Sequence, residues 1–389
     1  MSKKLLSMIL VLALVAGILA GCSQQTNQNT TDDSQQNTTT NDTTNDATDD
    51  TTDDTTDDTT DDTTEDTTGE EIAIALCVTG TLGDKALADS TWAGLQQIEA
   101  EYDNVTCKVF EAPEGATDWE PNLIAASNDY DLVIVCASSM GAVLEKIAPQ
   151  YPDVMYVSID SPIDEPNVAS CTFACNEASF LLGCIAGLWT TRTDIPGVNE
   201  DKIVGWISGM EAPINDDYYI GFCAGVEYTC PGATVLQSWT GTYSDPLMAK
   251  EMTKALISQG ADCISPVLST AAVGAHEACQ EQGVYSFALD TDQDAVYPGT
   301  VITSALKNST LVTYQYAKDF IEGNFSTEFK VMDTALGIMD ITDMSVIEEV
   351  LGDDFPEDIR ETIMEIRQKI IDGELEVPYN PVVRGEAAE

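Results

Sequence analysis

Residues 72–110 read IAIALCVTGTLGDKALADSTWAGLQQIEAEYDNVTCKVF, and this stretch decides the fold. Ile72 to Thr79 is a short apolar run closed by Gly80. From Asp89 to Tyr102, apolar residues return at Trp92, Leu95 and Ile98, the spacing of one helix face. Val105 to Phe110 then opens a second apolar run. The same alternation repeats downstream, with expected strands at Leu132 to Cys136, Val154 to Ile159, Ile203 to Ser208, Thr234 to Trp239, Cys263 to Pro266, Tyr285 to Leu289 and Val301 to Ala305. Helical stretches separate most of them: Gly141 to Gln150, Asp216 to Tyr228, Pro246 to Gln259 and Val273 to Gln282. Alternation of this length predicts doubly wound parallel sheets with helices on both faces.

Ala178 to Trp189 is apolar almost all round, with Gly183 and Gly187 at a small-residue spacing. It is too short to span a bilayer and reads as a helix buried in a globular protein. Polar Thr190 to Lys202, with Pro196 and Gly197, reads as a hinge crossing to a second sheet.

Upstream, the chain has a different character. Lys3 and Lys4 lead into an apolar run from Leu5 to Leu19 that ends Leu19-Ala20-Gly21-Cys22, the pattern of a secretory leader of residues 1–21 cleaved before a lipid-bearing cysteine. Palmitate on Cys22 would hold the protein at the outer face of the cell membrane. Residues 22–69 are then a Thr/Asp/Asn/Gln tract with repeated Asp pairs, too polar to build a core and self-repelling, so it is expected to be a disordered stalk. It lacks the Gly turns that wrap a calcium ion.

About 320 residues follow the stalk, long for one core and suited to two lobes with a cleft between them. The expected division is 70–195 mainly lobe 1, 200–305 mainly lobe 2, 306–380 crossover and C-terminal helices completing both, and 381–389 a tail. The formal net charge is −51, from 67 acidic against 16 basic residues, which argues against nucleic acid as a partner. Ten cysteines besides Cys22 sit mostly in apolar runs, where they read as core filler; so many thiols in an exported chain fit a reducing habitat. With Cys171 and Cys175 the one close pair and His276 the one histidine, no metal site and no cofactor are expected. His276 is expected on the polar face of its helix.

Ligands of parallel sheets collect at the carboxyl ends of strands. Here those ends carry Thr79 to Asp84, Ala137 to Met140, Asp160 to Ser161, Gly209 to Asp216, Thr240 to Asp245, Leu268 to Ala272, Asp290 to Asp294, and Lys307. Taken alone, Asp84 also reads as a helix cap, Asp290 and Asp292 as turn residues, and Lys307 as the partner of any nearby acid.

Several segments carry a resemblance by their order and spacing: Gly83-Asp84-Lys85 with Ser90 to Leu95, Trp119 to Leu123, Tyr151 to Val154, Glu165 to Ser170, Ser179 to Gly183, Ser244-Asp245-Pro246, Leu289 to Gln293, Thr303-Ser304 with Lys307, and Gly373 to Pro378. From Ile72 to about Asn380 the chain resembles the basic membrane protein family of substrate-binding lipoproteins, whose best understood type is a purine nucleoside receptor. The resemblance implies an α/β, two-lobed type I periplasmic-binding-protein fold and a non-enzymatic role as receptor of an ABC importer, with a permease as partner. It implies Asp84 as a first-lobe carboxylate, Asp290 and Lys307 on sugar hydroxyls, and Tyr218 covering a base. Leu87 and Ala88 stand where the family has Phe-Asn, and Ser138 where an aromatic is frequent. A nucleoside or related ribosyl solute is therefore the expected ligand; the alternatives are another small polar solute, a sensor role, or an exported nucleoside hydrolase using Asp290 or Asp292.

Overall fold

The structure, a computed structural model, describes residues 71–83, 85–113 and 115–386. Strand β1 (Ile72–Val78) runs parallel to β2 (Val105–Phe110) on one side and β3 (Leu132–Cys136) on the other; β4 (Met155–Ile159), β5 (Val168–Phe173) and, from far downstream, β11 (Phe329–Met332) complete the first sheet in the order β11-β5-β4-β3-β1-β2. The second sheet repeats the plan with β6 (Ile203–Ser208), β7 (Thr234–Trp239), β8 (Ala261–Val267), β9 (Tyr285–Asp290) and β10 (Val301–Lys307), ordered β12-β10-β9-β8-β6-β7. Its edge strand β12 (Met339–Ile341) is antiparallel to β10. In each sheet, strand order reverses beside the first strand, at β1/β3 and at β6/β8, and such switch points open a crevice at the carboxyl ends.

Strand alternation covers both faces. Ile74, Leu76 and Val78 join one core with Leu95 and Ile98 of α1 (Leu87–Glu101), while Ala75 and Cys77 join another with Leu123 of α2 (Ala116–Asp129) and Leu144 of α3 (Gly141–Ile147). Helix α4 (Cys175–Trp189) is buried almost all round, as its apolar sequence requires. It lies against α5 (Pro213–Thr229), and Gly183, Gly221 and Gly225 let the two backbones close to a distance that any Cβ would block. The second sheet's outer face is covered by α6 (Pro246–Ile257) and α7 (Ala272–Gln282). Asp245 caps α6 through Met248 N and Asn308 caps α8 (Ser309–Ile321) through Leu311 N.

Helix α4 packs on β8, β10, β12 and α10 (Glu357–Ile371), so it belongs to the second lobe. The chain therefore crosses at Ala174, and the hinge expected at Thr190 to Lys202 is instead a surface turn after α4. It crosses back at Asn308, since α8 packs on α1, and again between β11 and β12. The three crossings lie together: Ala174 N donates to Met332 O (2.9 Å), Asn308 N to Ile338 O (2.9 Å) and Thr334 N to the Glu177 carboxylate (2.9 Å). Eight of the ten cysteines in this part are buried, with Cys107 and Cys223 half-buried.

Candidate functional site

Where the two lobes face each other, strand ends leave a row of chambers. Over the first switch point, a chamber of about 440 Å³ is lined by Thr79 to Gly83, Leu87, Ala88 and Ala137 of the first lobe and Ser244, Ser269 and Thr270 of the second. A second, of about 330 Å³, holds Asp290, Asp292 and Lys307; a third, of about 230 Å³, holds Ser138, Asp160 and Thr172 against Ala212 to Ile214 and Val382. The lobes touch beside them, where Thr291 Oγ1 donates to Lys85 O at 3.3 Å.

At the centre lies a buried ion pair. Lys307, at the end of β10, places Nζ 2.6 Å from Asp160 Oδ2 at the end of β4, with both side chains under 10 % exposed. The ammonium also sits 4.3 Å from the Phe173 ring centroid. Burial alone would lower the Lys307 pKa, but Asp160, Cys175 and Asp290 outweigh it and hold the group firmly charged. Asp160 Oδ1 is buried without a hydrogen-bond partner among the described residues. A carboxylate has room for several donors, so Asp160 keeps an acceptor available in the cleft.

Asp160 (φ 69°) and Asp290 (φ 70°) occupy the left-handed region, and Ala137 reaches φ 108°. Non-glycine residues there carry backbone strain, and its concentration at three strand ends around one cleft marks a functional surface.

Of the residues singled out by sequence, Lys307 and Asp290 line one chamber, Leu87 the largest, and Ser138 the one holding Asp160. Tyr218 lies on α5, buried, with its hydroxyl against the Cys175 thiol, and lines none of these chambers; burial pushes its pKa up. Asp84 and Cys22 lie outside the described residues. Asp160 and Phe173 were not among the site residues expected; the only signal for Asp160 was its place in a strand-end loop. His276 is not on a polar face: it is 1 % exposed, Nδ1 lies 3.0 Å from Ser286 Oγ, and Tyr297 packs on the ring. The reason is that α7 turns this side toward β9, and burial brings its pKa down to about 4. Among the described residues no cluster of His, Cys, Asp and Glu could hold a metal ion, and no helix is long and apolar enough to cross a membrane.

Two parallel sheets joined by three crossings over a polar cleft define a solute-binding protein of the type I periplasmic kind, a non-enzymatic class. The chain belongs to the family of PnrA-like ABC transporter substrate-binding proteins, whose model matches residues 71–381. It is similar to Basic membrane protein A2 of Borrelia garinii subsp. bavariensis, 26% identical over 320 residues that cover 79% of this chain and 88% of that protein. The CD4+ T-cell-stimulating antigen of Listeria monocytogenes is 25% identical over 334 residues, covering 78% and 87%. Among solved structures, an ABC transporter solute-binding protein from Aeropyrum pernix K1 superposes with a TM-score of 0.70 at 25% identity, covering 79% of this chain and 94% of that one. The family sets a small-molecule ligand, permease partners and an extracytoplasmic place of work.

Proposed function

We propose that the cleft receives a nucleoside or related ribosyl solute, and that lipid on Cys22 tethers the receptor to the outer face of the cell membrane through the acidic tract. The observation that carries the ligand reading is the buried Asp160–Lys307 pair with half-buried Asp290 close enough to act on the ammonium, Asp160 Oδ1 being without a partner among the described residues. A vicinal diol matches it, because each hydroxyl can donate to a carboxylate while accepting from the ammonium. The 440 Å³ chamber, walled by Leu87 and Ala88, offers aliphatic rather than aromatic cover for a base. Closure of the two lobes over the solute supplies the signal that a permease reads.

Calorimetric titration of the chain from Ser23 with purine and pyrimidine nucleosides, free bases and pentoses tests the reading. Nucleosides should bind and their free bases should not, and Asp290→Ala should abolish binding; unchanged affinity in that variant would remove Asp290 from the site. A ligand present at a hundredfold over its Kd should add about 2.7 kcal/mol of stability, which a melting curve resolves. For the anchor, palmitate fed to expressing cells should label the wild-type chain and leave Cys22→Ser unlabelled; equal labelling of both would rule the anchor out.

A further inference from the structure

His276 is the single histidine of the chain, and the solute-binding reading leaves it unused. It lines a fourth chamber on the lobe seam, about 240 Å³, together with Lys85 and Ala86 of the first lobe and Thr270, Asp290 and Gln293 of the second. Its Nδ1 is tied to Ser286 Oγ, and Ser286 is fully buried on β9, so the ring edge carrying Nε2 points the other way. That Nε2 is buried with no hydrogen-bond partner among the described residues. Buried polar atoms are nearly always paired, so an unpaired one retained in a cleft calls for a ligand group.

We propose that this chamber is a subsite for a neutral, hydroxyl-bearing arm of the bound solute, with Nε2 of His276 as its hydrogen-bonding atom. The inference rests on the ribosyl reading of the cleft. Asp290 lines both this chamber and the one holding Lys307, so a sugar gripped at Asp290 has its next carbon beside His276. On a nucleoside that arm is the 5′-hydroxymethyl group. The chamber's chemistry suits a neutral arm better than a phosphate: burial keeps the imidazole neutral, and Asp290 offsets the charge of Lys85 in the same lining. It fits an alcohol, because Ser286 can donate to or accept from Nδ1, which leaves Nε2 able to take either role toward a hydroxyl.

Having one histidine makes the test direct. The chain is labelled with 15N-histidine and titrated with adenosine and with 5′-deoxyadenosine, with calorimetry alongside. Adenosine should bind at least tenfold more tightly and should alone shift the Nε2 resonance; His276→Phe should bring the two affinities together, and His276→Gln should restore part of the difference. Adenosine binding that leaves the Nε2 resonance in place, or equal weakening of both ligands by His276→Phe, overturns the subsite and leaves the ribosyl reading standing. Absence of both heat and any resonance shift with these ligands and with the other nucleosides and pentoses of the panel removes the ribosyl reading and the subsite with it. If His276→Phe does not fold, the wild-type resonance decides alone.

Discussion

Asp160 and Lys307 show how one pair can hold the structure and await a ligand. Each is buried, and removing one partner of such a pair leaves the other charge uncompensated, a loss of about 3–5 kcal/mol. Lys307→Met should therefore lower the urea midpoint by that free energy divided by m, with m itself unchanged. Replacing both, as Asp160→Asn with Lys307→Met, should recover part of the stability, since no uncompensated charge is left buried and Asn tolerates the left-handed backbone at 160, yet it should leave ribosyl binding abolished. A double variant that still binds would make the pair structural only. At this scale the sequence was half legible. Lys307 and Asp290 stood out through the resemblance, whereas Asp160 was visible only as part of a loop, because an aspartate after a strand is a common turn former and its ion pair joins residues 147 positions apart. His276 was misjudged because polar neighbours in sequence say nothing of the Ser286 and Tyr297 that enclose it.

Among the elements, the α4/α5 contact is the most extensive helix pairing. A Cβ on Gly225 would land on Phe180 O and one on Gly183 on Phe222 O, both backbone atoms that cannot swing aside. Gly225→Val should cost more than about 3 kcal/mol, the upper range for overpacking, and a variant with a wild-type melting curve would show that the helices can separate without loss. The short length and the all-round apolar character made α4 readable as a buried helix, although the Gly183/Gly187 spacing also occurs in membrane helices. Its lobe was not readable, since the crossing at Ala174 is a short apolar passage with no change of composition, while the polar turn at Thr190 to Lys202 merely looks like a hinge. Strands β5, β11 and β12 escaped for related reasons. Val168–Phe173 is rich in Ala, Ser and Cys, and the other two have only four and three residues, so their pairing is set by the tertiary fold.

Across the whole molecule, the C-terminal segment joins the lobes once more. Asn176 Nδ2 donates to Val377 O and Pro378 O at 3.2 Å, and Asp217 accepts from Asn176 N (3.0 Å) and Asn380 N (2.8 Å), pinning the segment to the second lobe. Beyond that pin, Val382 and Val383 share the chamber of Asp160, and Gly385 reaches Pro162 of the first lobe. Asp217 is pushed up to about 6 by burial, against the opposing pull of its two backbone N–H partners and of Arg384. Its folded value thus exceeds the usual one of 3.8, so the native state takes up a proton as pH falls through 6 and the unfolded chain only near 4. Stability from this group is complete below 4 and lost as pH rises through 6, on the order of 3 kcal/mol. Asp262 on β8, also raised to about 6 by burial, has the same sign; His276, lowered to about 4, has the opposite sign. The balance favours acid, so the melting temperature should rise between pH 7.5 and pH 5. Asp217→Asn, neutral at every pH, should lose this group's share and show a shallower rise; an equal rise in both proteins would mean that Asp217 does not titrate above its ordinary range in the folded chain.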